Sequence, residues 1–102
     1  MKQMSLSDYI DLLSERFPTN LPVRVIRCVM PVDPKTGWRE FGDCKKLKAR
    51  YKIRINNTHP LQIQKDTLEH EWAHCIDRWS KRQDHDSRWG ALYAKIYRTM
   101  NK

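Results

Sequence analysis

The chain has no C-x-x-C pair and no long apolar run. Its 102 residues include three cysteines, Cys28, Cys44 and Cys75, an odd number with none so spaced. That speaks against a disulfide framework and against a zinc ribbon, and it favours a reducing, intracellular setting. No hydrophobic stretch approaches the ~20 residues of a membrane span, and no apolar signal segment stands ahead of the first periodic element. Internal repeats, low-complexity tracts and an interdomain linker are missing too, so residues 1–102 are expected to form one domain with one small core. So small a core would gain appreciably from a bound metal. Acidic side chains are outnumbered, 12 Asp+Glu against 20 Lys+Arg, for a net charge of +8. This balance favours encounters with nucleic acid or acidic surfaces, and it is equally explained by solubility.

What is present begins with an amphipathic helix over residues 5–17. Leu6, Tyr9, Ile10, Leu13 and Phe17 keep helical spacing, Ser5 and Asp8 resemble a capping box, and Pro18 stops the helix. Residues 23–30 are β-branched and apolar on both faces, which predicts a strand inside the sheet, bounded by Pro22 and Pro31. Residues 34–37 read as a turn leading into a short strand near 38–41. Then comes an alternation. Leu47, Ala49, Tyr51, Ile53 and Ile55 face one way; Lys46, Lys48, Arg50, Lys52 and Arg54 face the other. A half-buried strand follows, with a basic outer row whose members stand roughly 6.6 Å apart. Lys48, Arg50, Lys52 and Arg54 then either contact nucleic acid or an acidic substrate, or form a solvated face that discourages edge pairing.

After a loop over residues 56–60, Asp66 and Glu69 have the spacing of a helix start, predicting a helix over about 67–81. It carries His70-Glu71-Trp72-Ala73-His74, an H-E-x-x-H pattern. Two histidines four apart on a helix are separated by roughly 6 Å of rise and about 40° of rotation, so both imidazoles can reach one cation. Glu71 beside them can hold a water molecule and take its proton. The stripe Leu68, Trp72, Cys75, Ile76 and Trp79 spans roughly a 100° arc, with His70 and His74 on the opposite side, which argues against two core-filling histidines. Asp77, on the histidine side, either orients or binds a metal from one turn further on, or forms ordinary helix ion pairs with neighbours such as Lys81.

A short connection over residues 81–84 leads to a last helix with the stripe Trp89, Leu92, Tyr93, Ile96, Tyr97 and Met100, forcing antiparallel packing on the metal helix. Tyr93 and Tyr97 have the spacing of packing residues; the alternative is a hydroxyl that hydrogen-bonds a tetrahedral oxyanion. A catalytic zinc site takes three protein ligands. His85, one turn before Trp89, is the candidate third, within reach through the few loop residues; the alternative is a histidine decorating a helix start. His59 reads as a loop residue. The fold class is α+β: an N-terminal helix, a small, mostly antiparallel three-stranded sheet, then two packed active-site helices.

Residues 66–74, followed by 85–98, resemble the SprT-like (Spartan-type) zinc metalloprotease domain, in the short stand-alone form of bacteriophages and bacteria. In that family an H-E-x-x-H helix is completed by a histidine from an H-G-P-x-aromatic segment that opens the next helix. The resemblance implies one zinc ion on His70, His74 and His85, with Glu71 as general base. It also implies protein or peptide substrates, DNA-associated ones among them, and the cytoplasm of a bacterial or phage-infected cell. Two features depart from the pattern. Asp86-Ser87 stands where the family has Gly-Pro, and the zinc ribbon and DNA-binding tails of longer members have no counterpart in these residues.

Two function classes follow. One is a zinc endopeptidase in which a substrate chain lies along residues 51–55 as an added β-strand. The other is a small basic domain that binds nucleic acid or protein and uses zinc only as a structural staple.

Overall fold

The computed structural model describes residues 4–77 and 87–101. Six elements follow in order: α1 (Leu6–Arg16), β1 (Val23–Cys28), β2 (Gly42–Lys46), β3 (Tyr51–Asn56), α2 (Leu61–Ile76) and α3 (Ser87–Met100). The architecture is the expected α+β arrangement of an N-terminal helix, a three-stranded sheet and two later packed helices. Ser5 caps α1, its Oγ accepting the Asp8 N–H at 3.1 Å. Leu6, Tyr9 and Leu13 are buried.

The strand order is β1-β3-β2, with β1 parallel and β2 antiparallel to β3, so the sheet is mixed. This order corrects three strand expectations. Residues 23–30 do not form an interior strand: β1 ends at Cys28 and lies on an edge, with Arg24 and Arg27 exposed. The strand expected near 38–41 begins later, at Gly42, because Trp38 and Phe41 are 77% and 60% exposed and bury no face. The single strand read across 46–55 is two strands joined by a reversal. Lys46 ends β2, and the Leu47 N–H donates to the Arg50 carbonyl at 2.8 Å. The apolar/basic alternation runs through the turn without a break in sequence, and this hides the turn. The turn at 34–37 is where expected. Gly37, at φ 74°, donates to the Asp33 carbonyl at 2.8 Å, a backbone region that glycine enters without a Cβ penalty.

β3 is the centre of the molecule. Tyr51, Ile53 and Ile55 are fully buried and meet Leu13, Leu68, Trp72 and Cys75 in one core. α2 lies over this face, fastened to the end of α1 by a 2.9 Å hydrogen bond from Trp72 Nε1 to the Phe17 carbonyl. Along α2, His74 meets Trp89, His70 meets Trp89 and Tyr93, and Glu69 meets Asn101. Descending numbers on one helix against ascending numbers on the other make α2 and α3 antiparallel. Tyr97 departs from the packing stripe expected of it and is 49% exposed. The predicted connection at 81–84 and Trp79 lie outside the described residues. No described helix is long and apolar enough to cross a membrane.

Glu69 ties the three helices together. It is fully buried and accepts hydrogen bonds from the Tyr9 hydroxyl and, at 3.0 Å, from Asn101 Nδ2. Burial raises its pKa while the two donors pull it back. Removing one donor leaves a buried carboxylate under-satisfied. Tyr9→Phe is therefore expected to lower the unfolding free energy by about 1–3 kcal/mol, read from urea titrations at neutral pH.

Candidate metal centre

The histidine-bearing helix starts six residues earlier than its acidic residues suggest. Pro60 stands at the N-cap and supplies no side-chain bond, and Gln64 does the fastening. Its N–H donates to the Pro60 carbonyl at 3.0 Å and its Nε2 to the His59 carbonyl at 2.7 Å, while its Oε1 accepts from Arg27 Nε at 3.0 Å. The first turn of α2 is thereby held to the loop before it and to β1. Asp66 sits inside the helix, where its Oδ1 accepts from Gln62 Nε2 at 3.0 Å.

From this frame the site residues emerge on the side facing α3. The apolar stripe faces the core as expected: Leu68, Trp72 and Cys75 are buried and Ile76 is half-buried. His70 and His74 are half-buried with ring centroids 5.4 Å apart. Trp89 holds both rings, at 4.7 Å from His70 and stacked at 5.3 Å on His74. The Tyr93 ring lies 5.6 Å from His70. One ligand atom each from His70, Glu71 and His74 can be chosen so that all lie within 4.8 Å of one another. Two imidazoles and a carboxylate converging in this way form a group able to hold a metal ion.

Glu71 is 7% exposed and accepts no hydrogen bond among the described residues. Burial first, then the negative charges of Asp43 and Glu40, push its pKa up to about 7. A carboxylate in that range takes and returns protons near neutral pH. Burial likewise raises the Tyr93 pKa, with Glu69 and Asp66 adding to it, so its hydroxyl remains a donor.

In front of these groups lies a cleft of about 290 Å³, lined by Phe41, Gly42, Ile63, Asp66, Thr67, His70, Glu71 and Tyr93. One wall is the start of β2. A Cβ on Gly42 would lie 2.5 Å from the Arg54 carbonyl oxygen and 2.7 Å from Thr67 Cγ2, so the absence of a side chain there lets strand and helix close on each other. Hydrogen bonds from the Asn56 N–H to the Phe41 carbonyl and from the Leu47 N–H to the Arg50 carbonyl fix the parity of the antiparallel pair. Odd-numbered residues of β2 bond to β3, and the backbone groups of Gly42, Cys44 and Lys46 point to the other edge, unpaired by any described strand.

The sequence-predicted residues divide accordingly. His70, Glu71 and His74 come together. Asp77 does not join them: it is the C-cap of α2, its N–H donating to the Ala73 carbonyl at 3.0 Å. His85, with Asp86, lies outside the described residues. The basic row is redrawn. Lys48 and Arg50 belong to the turn, and Arg54 is held by Asp43 through Nε at 2.9 Å and in an ion pair. Lys52 and Arg54 keep the predicted place on the outer face of β3, Arg54 already paired there with Asp43. With both its edges paired, β3 has no room for an added substrate strand. Tyr93 packs against the core as expected and lines the cleft as well. Phe41, Gly42 and Asp66 were not foreseen at the site. A glycine directly after an aromatic residue at the start of a strand is the one local sign of that wall. Compared with protein-family models, curated proteins and solved structures, the chain matches none.

The raised pKa of Glu71 has a sign. The unfolded chain ionises it at the ordinary value of 4.5, whereas the folded protein resists ionisation up to about 7. Stability of the metal-free protein therefore falls as pH rises from about 4.5 through 7 and then levels. The full difference corresponds to about 3 kcal/mol at ~1.4 kcal/mol per unit. Glu71→Gln is expected to raise metal-free stability at pH 8 by up to about that amount and to change little at pH 5, measured by urea unfolding in chelator.

Proposed function

We propose that the chain is a zinc-dependent metallopeptidase that hydrolyses peptide bonds in the cleft before His70, Glu71 and His74. The observation that carries the reading is the convergence of those three side chains, two of which, His70 and Glu71, line a cleft bordered by a strand edge that no described strand pairs. His70 and His74 would hold the ion, with His85 proposed as the third ligand. Zinc, when bound, supplies Lewis-acid polarisation of the scissile carbonyl and a lower pKa for water. Glu71 takes a proton from the attacking water and delivers it to the departing amine. Tyr93, protonated on the cleft wall, is placed to donate a hydrogen bond to the substrate. A peptide extended along the edge of β2 that no described strand pairs would meet the outward backbone groups of Gly42, Cys44 and Lys46. The test is hydrolysis of casein or a quenched peptide by zinc-loaded protein. Glu71→Gln is expected to keep the metal and lose at least about 100-fold in rate; cleavage that survives the substitution would overturn the reading.

A second activity has its own observation. In register across the sheet, Arg24 stands opposite Lys52, and Lys52 opposite Lys45. With Arg50 they form a cationic row on the open face, with no acidic partner among the described residues. Like charges directly opposite one another disfavour folding, and a phosphate backbone would relieve them. We propose sequence-independent contact with nucleic acid there. A single-stranded oligonucleotide is expected to bind with an affinity that falls with salt at a log–log slope near −3, from about four contacts at ~0.7 each. Arg24→Gln with Lys52→Gln should remove about half of that slope. Salt-independent affinity would rule the contact out.

A further inference from the structure

One wall of the cleft has a chemistry that water activation does not use. Asp66 lies one helical turn before His70 and lines the same cleft. Its Oδ1 accepts a hydrogen bond from the neutral Gln62 amide. No Lys or Arg is paired with it among the described residues, although the chain carries a net charge of +8. Of the other carboxylates near the cleft, Glu40 is exposed and three are occupied differently. Asp43 is held by Arg54, Glu69 is bonded to Tyr9 and Asn101, and Glu71 is the proposed proton carrier. Asp66 is thus a negative charge left facing the cleft, and it acts on its surroundings: it helps to raise the pKa values of Tyr93 and Glu69.

The approach to Asp66 is apolar. Phe41 and Ile63 are large hydrophobic side chains that remain exposed, and both line this cleft. An aliphatic stem ending in a cation fits such a path, with methylenes against Phe41 and Ile63 and the charged end at the carboxylate. A purely apolar side chain would leave Asp66 desolvated and unpaired, and an acidic one would be repelled. At about 290 Å³ the cleft has room for one long side chain and the peptide backbone on either side of it.

We propose that Asp66 is a specificity-determining residue that selects peptides carrying lysine or arginine next to the scissile bond. The inference rests on the metallopeptidase reading for its functional meaning, and its test separates the two. Matched quenched peptides that differ only at one residue beside the scissile bond (Lys, Gln, Leu or Glu) are compared by kcat/KM for the zinc-loaded parent, Asp66→Asn and Asp66→Lys. Lys over Gln is expected to be favoured about tenfold, in line with one charge-assisted hydrogen bond. Asp66→Asn should erase that ratio while still cleaving the Gln peptide, and Asp66→Lys should shift preference to Glu. The same peptides are also titrated by fluorescence polarisation against Glu71→Gln, alone and combined with Asp66→Asn. If no peptide is cleaved but Glu71→Gln still binds the Lys peptide about tenfold more tightly, and loses this with Asp66→Asn, the peptidase reading fails and the basic-peptide site stands. If cleavage depends on Glu71 but the Lys:Gln ratio is near one, or is unaltered by Asp66→Asn, the assignment of Asp66 is wrong and the peptidase reading stands. Equal binding of all four peptides would also overturn it.

Discussion

The structure depends on one electrostatic constraint: α2 carries two carboxylates, two residues apart, that are both taken out of water. A buried charge must be compensated or must hold on to its proton. The fold answers differently on the two sides of the helix. Glu69 is met by the Tyr9 hydroxyl and the Asn101 amide, so α1 and the end of α3 are drawn onto α2 around a satisfied group. Glu71 accepts no hydrogen bond among the described residues, and burial, with the negative charges of Asp43 and Glu40, raises its pKa to about 7. The first carboxylate organises the scaffold. The second is left reactive, between two histidines whose rings are set by Trp89.

The sheet works to the same end. Because β3 takes the centre and is covered by β1 and β2, its inward residues can be wholly apolar and support α2 from below. β2 is left as an edge, and Gly42 lets that edge approach Thr67 on α2 closely enough to make a cleft wall. An open edge invites uncontrolled pairing. Here it borders the candidate metal centre.

Much of this was legible in the chain because it is local. The H-E-x-x-H spacing and the opposition of His70 and His74 to Leu68, Trp72 and Cys75 follow from helical periodicity alone, and the structure places these residues as that periodicity requires. The Ser5 cap and the turn ending at Gly37 are local chemistry too. What escaped is non-local. The reversal between Lys46 and Tyr51 is hidden because apolar and basic residues alternate straight through it, so two antiparallel strands read as one. The edge position of β1, the capture of Arg54 by Asp43 and the role of Tyr93 depend on which strand or helix lies alongside. The early start of α2 escaped for another reason: Pro60 and Gln64 do what an acidic cap was expected to do.

The central claim is that His70 and His74 hold a catalytic metal. It is tested most directly by elemental analysis of the purified protein after zinc loading and desalting, beside His74→Ala and His85→Ala. The account predicts one zinc per parent chain, lost or sharply weakened in both variants. A parent that retains no zinc, or a His74→Ala variant that retains as much as the parent, would contradict it.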